Sequence, residues 1–281
     1  MIITLTGATG FIGSALAARL EAAGHTVQPF SLRAPQPLQV SDAVIHLAGE
    51  PIAQRWTPGA KRRILESRVE GTRRLIARIA ALAAPPRVFI CSSAVGFYGS
   101  RGDEVLTETS PPGSGFLAEV CTAWEGAADQ ASARGMRVVK LRTGMVLAGR
   151  GGALDRMLPA FRMGIAGRLG SGRQWMPWIH LEDHLDLVEF ALAQAGVAGP
   201  LNAVSPNPVT NRDFTSALAR ALHRPAFLPA PAFALRAMFG EMASVLLDSQ
   251  RVIPRAALDA GFEFRHPELG AALQDILRSN R

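Results

Sequence analysis

Thr6-Gly7-Ala8-Thr9-Gly10-Phe11-Ile12-Gly13 is the stretch on which the reading of this chain turns. It follows the β-branched run Ile2 to Thr6 and precedes Phe11 to Ala23, whose apolar residues recur at helical spacing. Glycines let a backbone turn tightly and come close to a pyrophosphate, while the free N–H groups and positive dipole end of the next helix face the anion. A plain turn does not call for three glycines at three-residue spacing. In this strand–turn–helix setting the stretch predicts a dinucleotide-binding loop, with Gly7, Thr9, Gly10, Phe11, Ile12 and Gly13 along the cofactor.

Working outward, short apolar runs alternate with longer helical patterns. Strands are expected at Ile2 to Thr6, His25 to Phe30, Ala43 to Leu47, Arg87 to Cys91 and Arg137 to Leu141. Being continuously apolar, they read as strands buried on both faces of a parallel sheet. Helices are expected at Phe11 to Ala23, at Pro58 to Ala83, at Phe116 to Arg134 and near Leu181 to Ala195. Thr210 with Asp213 forms a capping pattern that opens a further helix running to Leu222. Only residues 31–41 separate the second strand from the third, and they include Pro35 and Pro37. A parallel crossover needs a dozen residues or more, so one strand–helix unit is expected to be truncated or lost there.

The predicted fold is α/β, a Rossmann-like doubly wound parallel sheet with a smaller, mainly helical C-terminal cap. The expected division is residues 1–150 for the dinucleotide-binding domain, with later segments returning to it, and 151–281 for the cap, including a helical tail at 225–281. The tail carries Phe227, Phe233, Phe239, Phe262 and Phe264, which are expected to pack rather than face water.

The second strand decides which dinucleotide. A carboxylate at its end normally holds both hydroxyls of the adenine ribose, yet no Asp or Glu stands between Thr26 and Ser41. Ser31 and Arg33 stand there instead, a hydroxyl and a guanidinium suited to a 2′-phosphate. The expected cofactor is therefore NADP(H).

Composition narrows the remaining classes. The chain has 281 residues, 48% hydrophobic and 19% charged, which is ordinary for a globular enzyme. Its apolar stretches are short and interrupted, so no membrane partner is expected. The net charge of +7 comes almost wholly from scattered arginines, a pattern that suits phosphorylated small molecules better than nucleic acid. The two cysteines, Cys91 and Cys121, have no CxxC spacing and no histidine cluster nearby, which fits a cytoplasmic chain without a structural metal.

Several further stretches carry a family resemblance: DAVIHLAGEPI (Asp42 to Ile52), SSAVGFYG (Ser92 to Gly99), LRTGMVLA (Leu141 to Ala148) and WIHLEDH (Trp178 to His184). Together with the glycine loop they resemble the extended short-chain dehydrogenase/reductase superfamily. Within it they resemble the NAD-dependent epimerase/dehydratase-like subgroup with a small C-terminal domain of uncharacterised function. The resemblance implies that Leu47, Ala48 and Gly49 lie along the cofactor, that Cys91 and Ser92 approach the nicotinamide ribose, and that Thr143 lies beyond. Position 68 carries Arg where extended members often have Asn, which puts a backbone-supporting role there in question.

The chemistry departs from the pattern. The superfamily usually works through a Tyr-x-x-x-Lys pair, in which the lysine lowers the tyrosine pKa and the tyrosine passes a proton. Tyr98 is the single tyrosine and position 102 is glycine, so no such pair exists in this chain. With Glu125 as the register mark, the two positions fall on Leu117 and Cys121. The catalytic candidates that remain are Ser93, which matches the carbonyl-polarising hydroxyl of the superfamily, and Tyr98. Glu50 and Glu119 are candidate carboxylate bases, and His180 is either a base or a structural histidine at a helix entry. Arg173 and Trp175, in the loop Gly170 to Trp175, together with Glu50, are candidate substrate contacts. Two functions follow: an NADP(H)-dependent oxidoreductase or epimerase acting on a small molecule such as a sugar nucleotide, or a catalytically silent NADP(H) sensor. Either is compatible with a monomer or a homodimer.

Overall fold

The computed structural model describes residues 1–33 and 37–278. In chain order the elements are β1 (Ile2–Thr6), α1 (Phe11–Ala22), β2 (Thr26–Phe30), β3 (Ala43–His46), α2 (Pro58–Ala80), β4 (Val88–Ala94), β5 (Val105–Leu106) and α3 (Phe116–Asp129). There follow β6 (Arg137–Thr143), β7 (Met145–Leu147), α4 (Gly152–Arg162), β8 (Trp175–Met176), β9 (Trp178–His180), α5 (Leu181–Ala193), β10 (Gly199–Ala203), β11 (Val209–Thr210) and α6 (Asn211–Leu222). The chain closes with α7 (Ala232–Phe239), α8 (Ser244–Leu247), β12 (Arg251–Val252), α9 (Arg255–Asp259) and α10 (Leu269–Arg278).

Six strands form one parallel sheet in the order β10-β6-β4-β3-β1-β2. Successive side chains on a strand point to opposite faces, and here both faces are covered. Ala43, Ile45, Val88 and Ile90 pack with Leu16 and Leu20 of α1 and Leu187 and Val188 of α5. Val44, Phe89 and Cys91 pack on the other face with Leu75 and Ile79 of α2 and Trp124 of α3. This is the expected Rossmann-like arrangement. A continuously apolar strand is stable only between two such layers.

β2 and β3 flank β1 on opposite sides. Among the described residues no strand or helix lies between Phe30 and Ala43, so the unit expected to be lost has no counterpart there. Pro35 lies outside the described residues. β4 and β6 run past their expected ends because Ser92, Ser93 and Ala94 continue in register with Leu141, Arg142 and Thr143. Polar residues at a strand's end look like loop in the sequence, and only the neighbouring strand shows that they pair. α3 stops at Asp129, short of the expected Arg134, and the chain turns through a 3₁₀ segment to Gly135.

The C-terminal part is tied to the sheet at several places. β10 returns to its edge, and Ala257 and Phe262 join the α1–α5 core. α4, α6 and α10 share a second core around Trp178 and Phe214. The capping box of Thr210 and Asp213 forms as the pattern predicts. The tail phenylalanines divide: Phe262 is buried, whereas Phe227 and Phe233 are 70% and 75% exposed, contrary to the expectation that all would pack. They sit beside the proline-rich linker, where no helix face covers them. Among the described residues no helix is long and apolar enough to cross a membrane.

Candidate functional site

The glycine loop joins the end of β1 to α1. Gly7 has φ +75°, and a Cβ on it would stand 2.9 Å from the backbone of Leu47 and Ala48. A Cβ on Gly13 would stand 2.1 Å from the Gly7 carbonyl oxygen, so α1 packs on the loop only because residue 13 has no side chain. Gly10 donates its N–H to that carbonyl at 2.9 Å and begins α1 without a side-chain cap. The first-turn N–H groups of α1 are left to point out of its N-terminus, the arrangement an anion needs. Phe11 packs against Gly151 and Gly152, which places the turn after β7 beside the loop.

A buried polar network supports this loop. The Thr6 hydroxyl meets His46 Nδ1 at 2.6 Å and accepts the N–H of Ala48, while His46 Nε2 meets the Thr72 hydroxyl at 3.1 Å. Thr72 donates in turn to the Arg68 carbonyl and accepts from the Trp124 indole. Burial, with the Arg68 charge nearby, pushes the His46 pKa down to about 4, so the ring is neutral. The Arg68 guanidinium donates to the carbonyls of Glu50 and Ile64 at 3.0 and 3.2 Å, and lies against Gly49 and over Trp124. Arg68 therefore does support backbone, at the very turn of Leu47, Ala48 and Gly49. The departure from Asn at position 68 does not remove that role.

Ser31 and Arg33 follow directly on β2, and both are exposed. The Arg33 N–H donates to the Ser31 hydroxyl at 3.3 Å, which turns the chain across the strand end. No carboxylate precedes Asp42 on this segment.

Ser93 and Tyr98 lie in a different setting. Ser93, 4% exposed, donates its hydroxyl to Glu125 at 2.7 Å. Glu125 also accepts two bonds from Arg142, at 2.8 and 2.9 Å. Tyr98 is fully buried; it donates to Asn202 at 2.7 Å and accepts from Arg142 at 2.9 Å. Burial pushes its pKa up to about 12. The Arg142 guanidinium stacks on Phe97, 3.5 Å from its centroid. Both hydroxyls are thus committed to a sealed framework. Cys91 and Cys121 are also buried, with thiol pKa values raised by desolvation. Ser92 is half-buried, and Thr143 bonds His184 at 3.3 Å.

Next to this framework opens a cavity of about 260 Å³, whose lining includes Trp56, Gly96, Phe116, Leu117, Glu241 and Asp248. Leu117 and Cys121 stand on α3 at the positions named from the resemblance. Asp248, whose pKa is raised by burial, lines this cavity although no motif in the sequence singles it out. Its only sequence signal was a lone acid in a helical tail. None of Ser93, Tyr98, Glu50, Arg173 and Trp175 lines the cavity. Glu50 is tied to Arg63 and Gln54, and Glu119 is exposed. Trp175 donates its indole N–H to Asp103 and lies under Arg251, while Arg173 is exposed in the preceding loop. The expected substrate contacts are therefore not brought together.

His180 caps α5, and its Nδ1 accepts the N–H of Glu182 at 3.1 Å. Its Nε2 faces Asp275 at 3.6 Å, with His266 stacked on the ring. These three could surround an ion. In a neutral ring, however, an accepting Nδ1 leaves the proton on Nε2, so no lone pair faces that point.

Residues 3–203 match the model of the NAD dependent epimerase/dehydratase family, and residues 230–276 match a domain of unknown function, DUF1731. An epimerase family protein of Mycobacterium bovis is 44% identical over 97% of this chain and 96% of its own length. The crystal structure of human epimerase family protein SDR39U1 with NADPH superposes with a TM-score of 0.92 at 38% identity, covering 99% of both chains. A structure described as a nucleoside-diphosphate sugar epimerase, from Corynebacterium glutamicum, has a TM-score of 0.82 at 36% identity over 99% of this chain and 58% of that one. With the sheet, the glycine loop and these likenesses in agreement, the chain belongs to the NAD dependent epimerase/dehydratase family.

Proposed function

We propose that this protein binds NADP(H) and works as an oxidoreductase or epimerase with an atypical proton-transfer group. The observation that carries the reading is the end of β2, where Ser31 and Arg33 are exposed and no carboxylate stands to repel a 2′-phosphate. The open helix terminus after Gly10 and the side-chain-free contact of Gly13 on Gly7 fit a pyrophosphate. The NADPH in the human relative's structure supports the same choice. In this reading Gly7, Thr9, Gly10, Phe11, Ile12 and Gly13 hold the pyrophosphate side, and Leu47, Ala48 and Gly49 run along the cofactor. Cys91, Ser92 and Thr143 border the nicotinamide end. The bound dinucleotide supplies or accepts hydride. Residues 1–150 provide most of the cofactor site and 151–281 the cap, in a monomer or homodimer of the cytoplasm.

The substrate would occupy the cavity beside Leu117, a small carbonyl compound or the sugar end of a sugar nucleotide. Ser93 and Tyr98 stand in the framework beside it, held by Glu125, Asn202 and Arg142, and Asp248 is the acid that would exchange a proton. Titration of NADPH and NADH into wild type and Arg33→Ala tests the cofactor assignment. A charged hydrogen bond contributes about 1.5–3 kcal/mol, so NADPH should weaken roughly 10- to 100-fold with NADH unchanged. Equal wild-type affinities, or a loss shared by both cofactors, would sink it.

A second reading rests on Leu117 and Cys121, which cannot act as the tyrosine and lysine do: a catalytically silent NADP(H)-binding sensor. NADPH oxidation across a panel of carbonyl and sugar-nucleotide substrates separates the two.

A further inference from the structure

A second cavity, of about 210 Å³, shares no lining residue with the one beside Leu117, and Arg168, Arg212, Thr215, Ser216 and Phe227 line it. The stems of its two arginines flank Gly172. A Cβ on Gly172, where φ is +74°, would stand 3.1 Å from Arg168 Cδ and 3.4 Å from Arg212 Cβ, and the Arg212 N–H donates to the Gly172 carbonyl at 2.9 Å. Neither guanidinium meets a carboxylate among the described residues. No Asp or Glu stands between Arg156 and Arg173 or between Phe214 and Gly240, and Asp213 is engaged by the Thr210 hydroxyl. Both guanidiniums are thus left for an anion.

The hydroxyls are unspent as well. Thr215 is only 7% exposed, yet its hydroxyl and that of Ser216 make no hydrogen bond among the described residues. Both hydroxyls are therefore open to a ligand in this pocket. Over this pocket stands Phe227, 70% exposed, an aromatic surface with nothing packed on it. The pocket is also pre-formed: Leu228 donates its N–H to Ala166, Ala230 to Arg168, and Gly170 to Ala230, so the two lining segments are held side by side by backbone bonds.

We propose that this pocket binds a phosphoryl group carried on a flat or apolar moiety. The guanidiniums and the two hydroxyls would take the phosphoryl oxygens through charge-assisted and ordinary hydrogen bonds. The attached moiety would cover Phe227. A soluble phosphate ester and a phospholipid headgroup present the same chemistry. The site is independent of the cofactor reading.

Calorimetric titration of the full chain with inorganic phosphate and with phenyl phosphate, with and without NADPH present, tests this. Phenyl phosphate should bind at least about 10-fold more tightly than phosphate, the factor one such contact supplies. Arg168→Ala with Arg212→Ala should abolish both, and Phe227→Ala should remove only the difference. All three positions are exposed, so the fold is retained. Gly172→Ala, which narrows the space between the arginines, should weaken both ligands. Sedimentation with phosphatidylglycerol and with phosphatidylcholine vesicles separates the sources: retention on the first alone, lost in the double arginine variant, assigns a lipid headgroup, and no retention assigns a soluble ester. Binding of phenyl phosphate unchanged in the double arginine variant, or absent from wild type, overturns the proposal.

Discussion

The glycine loop with the β2 end and the Ser93–Tyr98 framework both lie at the C-terminal edge of the same sheet, and they differ in what they leave unspent. At the loop, the α1 terminus has no cap and Ser31 and Arg33 face solvent. In the framework, each hydroxyl and each guanidinium arm is committed: Ser93 to Glu125, Tyr98 to Asn202, Arg142 to Glu125, Tyr98 and the Glu108 carbonyl. Unsatisfied groups at a rigid edge are what a ligand can use, whereas a closed network rigidifies a core. A matching motif thus identifies a position in the fold, and its partners decide whether that position can do chemistry.

The largest expected effect breaks the closed half. Arg142→Met strands the Glu125 carboxylate, which is 6% exposed, and should cost about 3–5 kcal/mol in denaturant unfolding. A loss under about 1 kcal/mol would mean that water enters the framework and that Ser93 and Tyr98 are available after all. Tyr98→Phe should cost about 1–3 kcal/mol, because Asn202 loses its donor and Arg142 an acceptor. If stability holds but turnover collapses, Tyr98 belongs to the chemistry.

Proton linkage sharpens the contrast on the loop side. His46, His180 and His184 have folded pKa values pushed from 6.5 to about 4, with burial the main cause of each. The unfolded chain therefore binds more protons between these values, so stability is complete above about 6.5 and is lost as pH falls towards 4. Each such ring adds a slope of about 1.4 kcal/mol per pH unit in that window. His46→Gln should flatten the profile by one ring's share, measured as the urea midpoint against pH. An unchanged slope would show that the base of the loop admits a charged ring. The smallest effect belongs to Ser31→Ala: one hydroxyl bond to the 2′-phosphate lost at an exposed strand end, about 1.5 kcal/mol in NADPH affinity with NADH and stability nearly untouched.

Much of the architecture was legible because it rests on local rules. Alternating apolar strands and helices, the glycine spacing, Pro58 at a helix start and the Thr210–Asp213 cap each depend on residues close in the chain, and each forms. The position of Ser31 and Arg33 at the end of β2 was readable for the same reason, since a strand end is a local address. Arg68 misled because residue type alone does not show that a guanidinium 18 residues further on reaches the Glu50 carbonyl. Phe227 and Phe233 misled because apolarity indicates what burial would gain, without indicating whether another surface arrives to provide it.

By itself, then, the sequence determined the helix-covered parallel sheet, the glycine loop between β1 and α1 and the absence of a Tyr-x-x-x-Lys pair, all properties of spacing and composition. The tertiary structure alone decided that Tyr98 and Ser93 are locked by Arg142, Asn202 and Glu125, partners as far as 104 residues away. It alone brought Asp248 to the cavity beside Leu117, and Arg168 and Arg212 together over Gly172. Long-range packing sets which polar groups are satisfied, and no local pattern encodes that balance.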